Sequence, residues 1–347
     1  MTTTLLRALF AMALSLAASP LVLMLLRRGK VLDRPSERSS HVTPIPRGGG
    51  VAVAVGVLAA HAITPSVPGG YRWAIGLTAV AFGLVGLVED VVGIQVLHRL
   101  ACQFLAAGFG AILLLDHLTG PALWRCAIAI IVVFWLVAFG NAYNFMDGVD
   151  GISVAQAVTA GIAWFVVGTY AENPLLASGG AIVAGAALGF APFNVPRARM
   201  FLGDVGSYFI GAWLAGLAVL ALREGVPPAA VLAPLALYLA DTGFTLARRV
   251  LRGERWYLPH REHAYQRLGA AGWSHLRVSM FVAVCIAACG ALGMVSLGET
   301  LLLRIVADLG IAAVLVGYLL SPKWLTARRT VLPEPPRTVH DLEWHSP

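Results

Sequence analysis

The chain has 347 residues, 58% apolar and 12% charged, with a net charge of +7 and a mean hydropathy of +0.78. Soluble domains carry about 25% charged residues, so this composition excludes a soluble globular protein and implies an all-α integral membrane protein. The basic balance is no argument for nucleic acid, because it follows the loops of such a protein.

Cutting the chain at its polar punctuation predicts about 11 transmembrane helices, each near the length a bilayer demands. In chain order they fall at 4–26, 49–65, 72–88, 99–115, 121–139, 153–170, 175–193, 206–222, 228–246, 277–297 and 301–320. The first has small residues at Ala17-Ala18-Ser19, as a cleaved leader would. Its only basic residue is Arg7, however, and the cationic cluster Arg27, Arg28, Lys30 follows it. That order anchors a helix whose start lies outside. With eleven spans the C-terminus is then cytoplasmic, and only Arg7, Arg72, Arg125, Arg223 and Arg304 of the 25 Lys and Arg fall outside. Residues 1–320 read as one polytopic domain with cytoplasmic loops at 27–48, 89–98, 140–152, 194–205 and 247–276. Residues 321–347, with Pro333-Glu-Pro-Pro336, read as a disordered cytoplasmic tail. Cys102, Cys126, Cys285 and Cys289 lie in apolar runs and read as small buried hydrophobes.

The acidic residues gather on the cytoplasmic side. Glu89 and Asp90 end the third segment, where the helix dipole disfavours anions, so capping explains them badly. Asn141, Asn144, Asp147 and Asp150 follow an apolar run at three-residue steps, with Gly148 and Gly151 between and after them. Oxygen and amide groups of this kind suit a hard cation such as Mg²⁺. On a regular helix such steps drift by about 60° each, so all four cannot face one ion. Asp204 lies in the glycine-flanked turn Phe201-Leu-Gly-Asp-Val-Gly-Ser207, where it either caps the next helix or joins a site. The longest cytoplasmic loop carries His260-Arg261-Glu262-His263, with donors matched to phosphate oxygens.

Together these stretches resemble the polyprenyl-phosphate N-acetylhexosamine-1-phosphate transferases, glycosyltransferase family 4. The resemblance runs from about Asp33 to Arg267. Its motifs are Asp33-Arg-Pro-Ser-Glu-Arg-Ser-Ser-His41 with Pro44-Ile-Pro-Arg-Gly-Gly-Gly50, Gly86-Leu-Val-Glu-Asp-Val91, Asn141 to Gly151, Phe201 to Ser207, and His260 to Leu268. The last looks more like the bacterial O-antigen-initiating branch than the muramyl-pentapeptide branch, whose loop is richer in histidine. The chain departs from the family where an aspartate pair becomes Glu89-Asp90.

The resemblance implies that undecaprenyl phosphate attacks a UDP-N-acetyl-aminosugar at the inner membrane's cytoplasmic face, releasing UMP and starting O-antigen or a related surface polysaccharide. It implies Asn144 and Asp204 as ligands of Mg²⁺, with Mn²⁺ as a substitute, and Asp90 as the catalytic group. Glu89, Asp147 and Asp150 join Asp90 in support. His260, Arg261, His263, Arg99, Arg47 and Asn141 are expected to hold phosphates or substrate. A homodimer is compatible with this reading. The alternatives are a muramyl-pentapeptide phosphotransferase and, in a different class, a cation-coupled secondary transporter. The transporter is disfavoured because the charges gather at one face rather than at the bilayer midplane, and no internal repeat accompanies them.

Overall fold

The computed structural model describes residues 1–33, 43–64, 69–116, 118–255, 260–298 and 300–326. Each of the eleven expected segments falls on a helix. These are α1 (Thr2–Arg28), α2 (Gly50–Ala62), α3 (Gly69–Val92), α4 (Val96–Leu114), α5 (Ala122–Met146), α6 (Ile152–Tyr170), α7 (Pro174–Asn194), α8 (Gly203–Arg223) and α9 (Pro228–Leu251). After a short unexpected α10 (Ala264–Ala270) come α11 (His275–Val295) and α12 (Leu301–Thr326). Among the described residues, ten of the eleven expected helices are long and apolar enough to cross a membrane. The exception, α2, has 13 residues, about 20 Å against a hydrocarbon core of about 30 Å.

Two boundaries differ from expectation. α12 continues through Ser321 to Thr326, past the expected start of a tail, and 327–347 lie outside the described residues. So does most of the Asp33–His41 motif. Cys285 and Cys289 are buried as expected, but Cys102 and Cys126 are exposed on membrane-spanning helices. A thiol is apolar enough to face hydrocarbon, so an apolar run did not require burial.

The centre of the bundle is α8, with 94% of its most apolar stretch buried, and α7 beside it; the corresponding share in α12 is only 17%. Without a hydrophobic driving force between helices in lipid, close approach rests on small residues. A Cβ on Gly50 would stand 2.0 Å from Gly206 Cα, and one on Gly86 would stand 2.2 Å from Asp204 O. α2 and α3 are therefore pressed against the first turn of α8. A short antiparallel pair, β1 (Leu32–Asp33) with β2 (Ile45–Pro46), leads into this junction. There Phe201 N donates to Pro46 O, and Gly49 and Gly50 donate to Phe201 O and Leu202 O.

Replacing Gly86 with Ala forces its Cβ into the backbone of Asp204, which cannot yield as a flexible side chain would. The expected cost is about 1–3 kcal/mol or more, measurable as a lowered thermal unfolding midpoint of the detergent-solubilised protein.

Candidate active site

The N-terminus of α8 has no side-chain cap of its own, since Leu202 occupies the capping position. Its first amides are satisfied from another helix. Asp90, near the end of α3, accepts from Asp204 N (3.0 Å) and Val205 N (2.9 Å). An acid that fits its own helix C-terminus badly thus sits at the favourable end of a neighbour. Arg47 Nε lies 3.1 Å from Asp90 Oδ1, and Arg47 also donates to Glu89 O (3.1 Å). Gly203 makes this closure possible. Its φ of +76° favours glycine, and a Cβ there would meet Asp90 Oδ2 at 2.6 Å.

Asp204 follows in the first turn of α8. Asn144, in the last turn of α5, donates through Nδ2 to Asp204 Oδ1 (2.8 Å) and to Ser207 Oγ (2.9 Å). Its Oδ1 accepts from Tyr208 OH (3.3 Å). A half-turn of the terminal amide exchanges these groups and sets two oxygens side by side. Beyond Met146 the chain turns. Tyr265 OH holds Phe145 O (2.9 Å), and Asn194 Oδ1 accepts from Gly151 N (2.9 Å). His275 Nδ1 lies 3.1 Å from Asp150 Oδ2, and Ser279 Oγ donates to Asp150 O.

These groups open on one cavity of about 590 Å³ at the helix ends. Its wall includes Asp33, Arg47, Asp90, Asn144, Asp147, Asp150, Asp204, His260 and Arg261. A larger groove of about 780 Å³ runs along α4 and α5, but its wall is mostly apolar, with Asp116 and Arg125 its charged members, so the smaller cavity is the candidate site. Burial and then the charges of Asp204, Asp90 and Asp150 push the Asp147 carboxyl up to about 8. Burial, His263 and Arg249 push His260 down to about 4. At neutral pH it is an uncharged imidazole, and beside it Arg261 is positively charged.

The expected residues divide. Asn144, Asp204, Asp90, Asp147, Asp150, Arg47, His260 and Arg261 are brought to the cavity; Glu89, Arg99, Asn141 and His263 do not line it. Glu89 Oε2 closes the α3–α4 turn on Ile94 N (2.7 Å), and its Oε1 lies 3.5 Å from Arg99. Asn141 sits in the α4–α5 seam, donating to Gln103 Oε1 (2.7 Å). His263 is buried behind the wall, 3.2 Å from Asp241 Oδ1. Sequence reasoning missed His275, Asn194 and Asp241. Asp241 alone carried a visible signal, as an acid within an apolar run.

A divalent cation would find a fitting donor set in Asp204 and Asn144, which already touch. Among the described residues no cluster of three or more His, Cys, Asp or Glu could hold a metal. With two side-chain ligands, an ion would draw the rest of its coordination from water and substrate oxygens, as suits Mg²⁺.

Residues 72–222 match the family model described as glycosyl transferase family 4. The chain is 30% identical over 315 residues to a decaprenyl-phosphate N-acetylglucosaminephosphotransferase of Mycobacterium leprae, covering 76% of each chain. It is 28% identical over 281 residues to a probable undecaprenyl-phosphate N-acetylglucosaminyl 1-phosphate transferase of Bacillus subtilis, covering 77% of each. A phospho-N-acetylmuramoyl-pentapeptide-transferase of Gluconobacter oxydans is 30% identical over 217 residues, covering 52% of this chain and 60% of the relative.

The raised Asp147 carboxyl has a consequence for stability. Between its ordinary 3.8 and about 8 the folded protein keeps a proton that the unfolded chain releases. Stability from this group is therefore lost as pH rises through that window. In EDTA, Asp147→Asn is expected to raise the unfolding midpoint by a few degrees near about pH 9 and hardly at all near about pH 4. Thermal melts across that range check it; an equal shift at both ends would contradict the assignment.

Proposed function

Because the chain belongs to glycosyl transferase family 4, the polyprenyl-phosphate N-acetylhexosamine-1-phosphate transferases, we propose that it moves an N-acetyl-aminosugar 1-phosphate from a UDP-sugar to undecaprenyl phosphate. The lipid phosphate oxygen attacks the β-phosphorus of the donor. A new P–O bond forms, the bond to the bridging oxygen breaks, and UMP leaves with that oxygen. The observation that carries this reading is the meeting, in one cavity at the ends of the long apolar helices, of the Asn144–Asp204 pair, Asp90 and the cations Arg47 and Arg261.

Phosphoryl transfer of this kind needs positioning and charge neutralisation more than covalent help. A phosphate monoester has a second pKa near about 6, so the nucleophile is largely ionised at neutral pH without a strong base. Asp204 and Asn144 would hold Mg²⁺, or Mn²⁺ in its place. The ion would supply charge neutralisation at the diphosphate. Arg261 and neutral His260 would offer donors to the phosphates, and Arg47, bridged to Asp90, would meet the lipid phosphate. Asp90 would orient that phosphate while it holds α8. Asp147 and Asp150 would shape the polar wall around the ion and donor, with His275 fixing Asp150. Glu89 and Arg99 would act from behind, through the turn that carries Asp90.

The cavity face would be cytoplasmic and the bilayer a bacterial inner membrane, in keeping with the distribution of Lys and Arg. The product would begin a lipopolysaccharide O-antigen or another surface glycan. The wider coverage by N-acetylglucosamine-type relatives favours a simple aminosugar donor over a muramyl-pentapeptide.

Membranes containing the protein are expected to release UMP and form butanol-soluble labelled sugar from a UDP-aminosugar and undecaprenyl phosphate. EDTA is expected to stop the reaction and Mg²⁺ to restore it. Asp204→Asn is expected to lose at least about a hundredfold in rate. Full activity in that variant, or indifference to EDTA, would remove the metal assignment. Competition between UDP-N-acetylglucosamine and the UDP-muramyl-pentapeptide separates the donors.

A further inference from the structure

Asp241 lies within α9, fully buried, and a carboxylate inside a membrane-spanning helix is retained only for a task. Four donors surround it. Oδ1 accepts from Ala264 N (3.0 Å) and Thr245 Oγ1 (3.3 Å) and lies 3.2 Å from His263 Nδ1. Oδ2 accepts from Tyr318 OH (2.7 Å), on α12. Simple cohesion between helices would be served by a hydroxyl or an amide at lower cost. An ionised carboxylate accepts only, on both oxygens, and this is a set of donors.

Two of those donors belong to the segment that begins with His260 and Arg261. The His263 ring, fixed by Asp241, lies 4.9 Å from the His260 ring, 5.8 Å from that of Tyr265 and 6.3 Å from that of Phe145. Tyr265 OH in turn holds Phe145 O, one residue beyond Asn144. The other anchor of the segment is Glu262, bound to Arg248 (2.8 Å) and Arg249. About a quarter of the Glu262 and Arg248 side chains is open to solvent, whereas Asp241 is fully buried, so the screened anchor holds register less firmly than the buried one.

We infer that Asp241 is a positioning residue for the transfer: by fixing the His263 ring and the Ala264 amide, it holds His260 and Arg261 at the cavity wall, with Tyr318 of α12 as its brace. This rests on the reading that those two residues contact the donor's phosphates.

The test is steady-state kinetics on the full chain in detergent, varying UDP-aminosugar and polyprenyl phosphate separately, for Asp241→Asn, Tyr318→Phe and Arg261→Ala. Asp241→Asn is expected to raise the donor KM about tenfold, the equivalent of one charge-assisted hydrogen bond, and to leave the acceptor KM unchanged. Adding Arg261→Ala to it is expected to cost little more than Arg261→Ala alone. Tyr318→Phe, which removes one donor and keeps the carboxylate, is expected to raise the donor KM by a smaller factor. It carries the test should Asp241→Asn not fold. A merely structural role would reduce the folded fraction, lowering the maximal rate with both KM values intact, and that result would overturn the inference. Additive losses in the double variant would do the same. A wild-type protein that transfers no sugar phosphate from any UDP-aminosugar would instead sink the underlying function.

Discussion

Everything at the cavity end hangs on one carboxylate meeting two amides, Asp90 on Asp204 N and Val205 N. A buried helix end with unsatisfied N–H groups is costly, and α8, the innermost helix, has no cap of its own. Borrowing the cap from α3 makes capping a tertiary act. It locks two helices in register, places Asp204 beside Asn144, and draws Arg47 to the same point. The glycines at 50, 86, 203 and 206 are the steric condition for this, since a methyl group at Gly50, Gly86 or Gly203 would push the backbones apart at that junction. The same contact fills the positive end of the helix dipole with a protein anion. In the proposed reaction, substrate anions would therefore be met by side chains, Arg47 and Arg261, rather than by the helix end itself.

The cavity's electrostatics follow from that arrangement. Asp33, Asp90, Asp147, Asp150 and Asp204 line it against two arginines. A diphosphate entering alone adds charge of the same sign; entering with a divalent cation it does not. Burial, and after it the neighbouring carboxylates Asp204, Asp90 and Asp150, push Asp147 up to about 8. Around this wall stands a second layer that touches no cavity space: Glu89 on Ile94, Asn141 on Gln103, and His263 on Asp241.

The helices were legible because hydrophobic runs long enough for a bilayer admit few other structures. The short α2 was harder to delimit. Its apolar letters run on to Ile63, but the helix stops at Ala62. Of the candidate site, most of the motif letters lie around one cavity, and the three-residue ladder divides: Asn144 turns to Asp204 while Asn141 turns to Gln103. Which side of a helix end a polar residue faces depends on its neighbours in space, and sequence spacing does not carry that. Glu89 and Asp90 are adjacent in sequence, yet one closes its own turn and the other caps a distant helix. His263 looked like a phosphate contact because its letters match those of His260; only Asp241, some twenty residues away, reveals its different use.

The link from Asp241 to Tyr318 also bears on how the protein comes to be made. The ribosome delivers α9 and the loop after it well before α12, so for that interval the Asp241 carboxylate lacks its Oδ2 partner. Little of α12 is buried, and it contributes little to the central packing. Its arrival supplies the missing hydroxyl. Assembly of the cavity wall is thus tied to insertion of the final span, and a nascent chain halted before Tyr318 holds every motif residue without the brace that sets them in place.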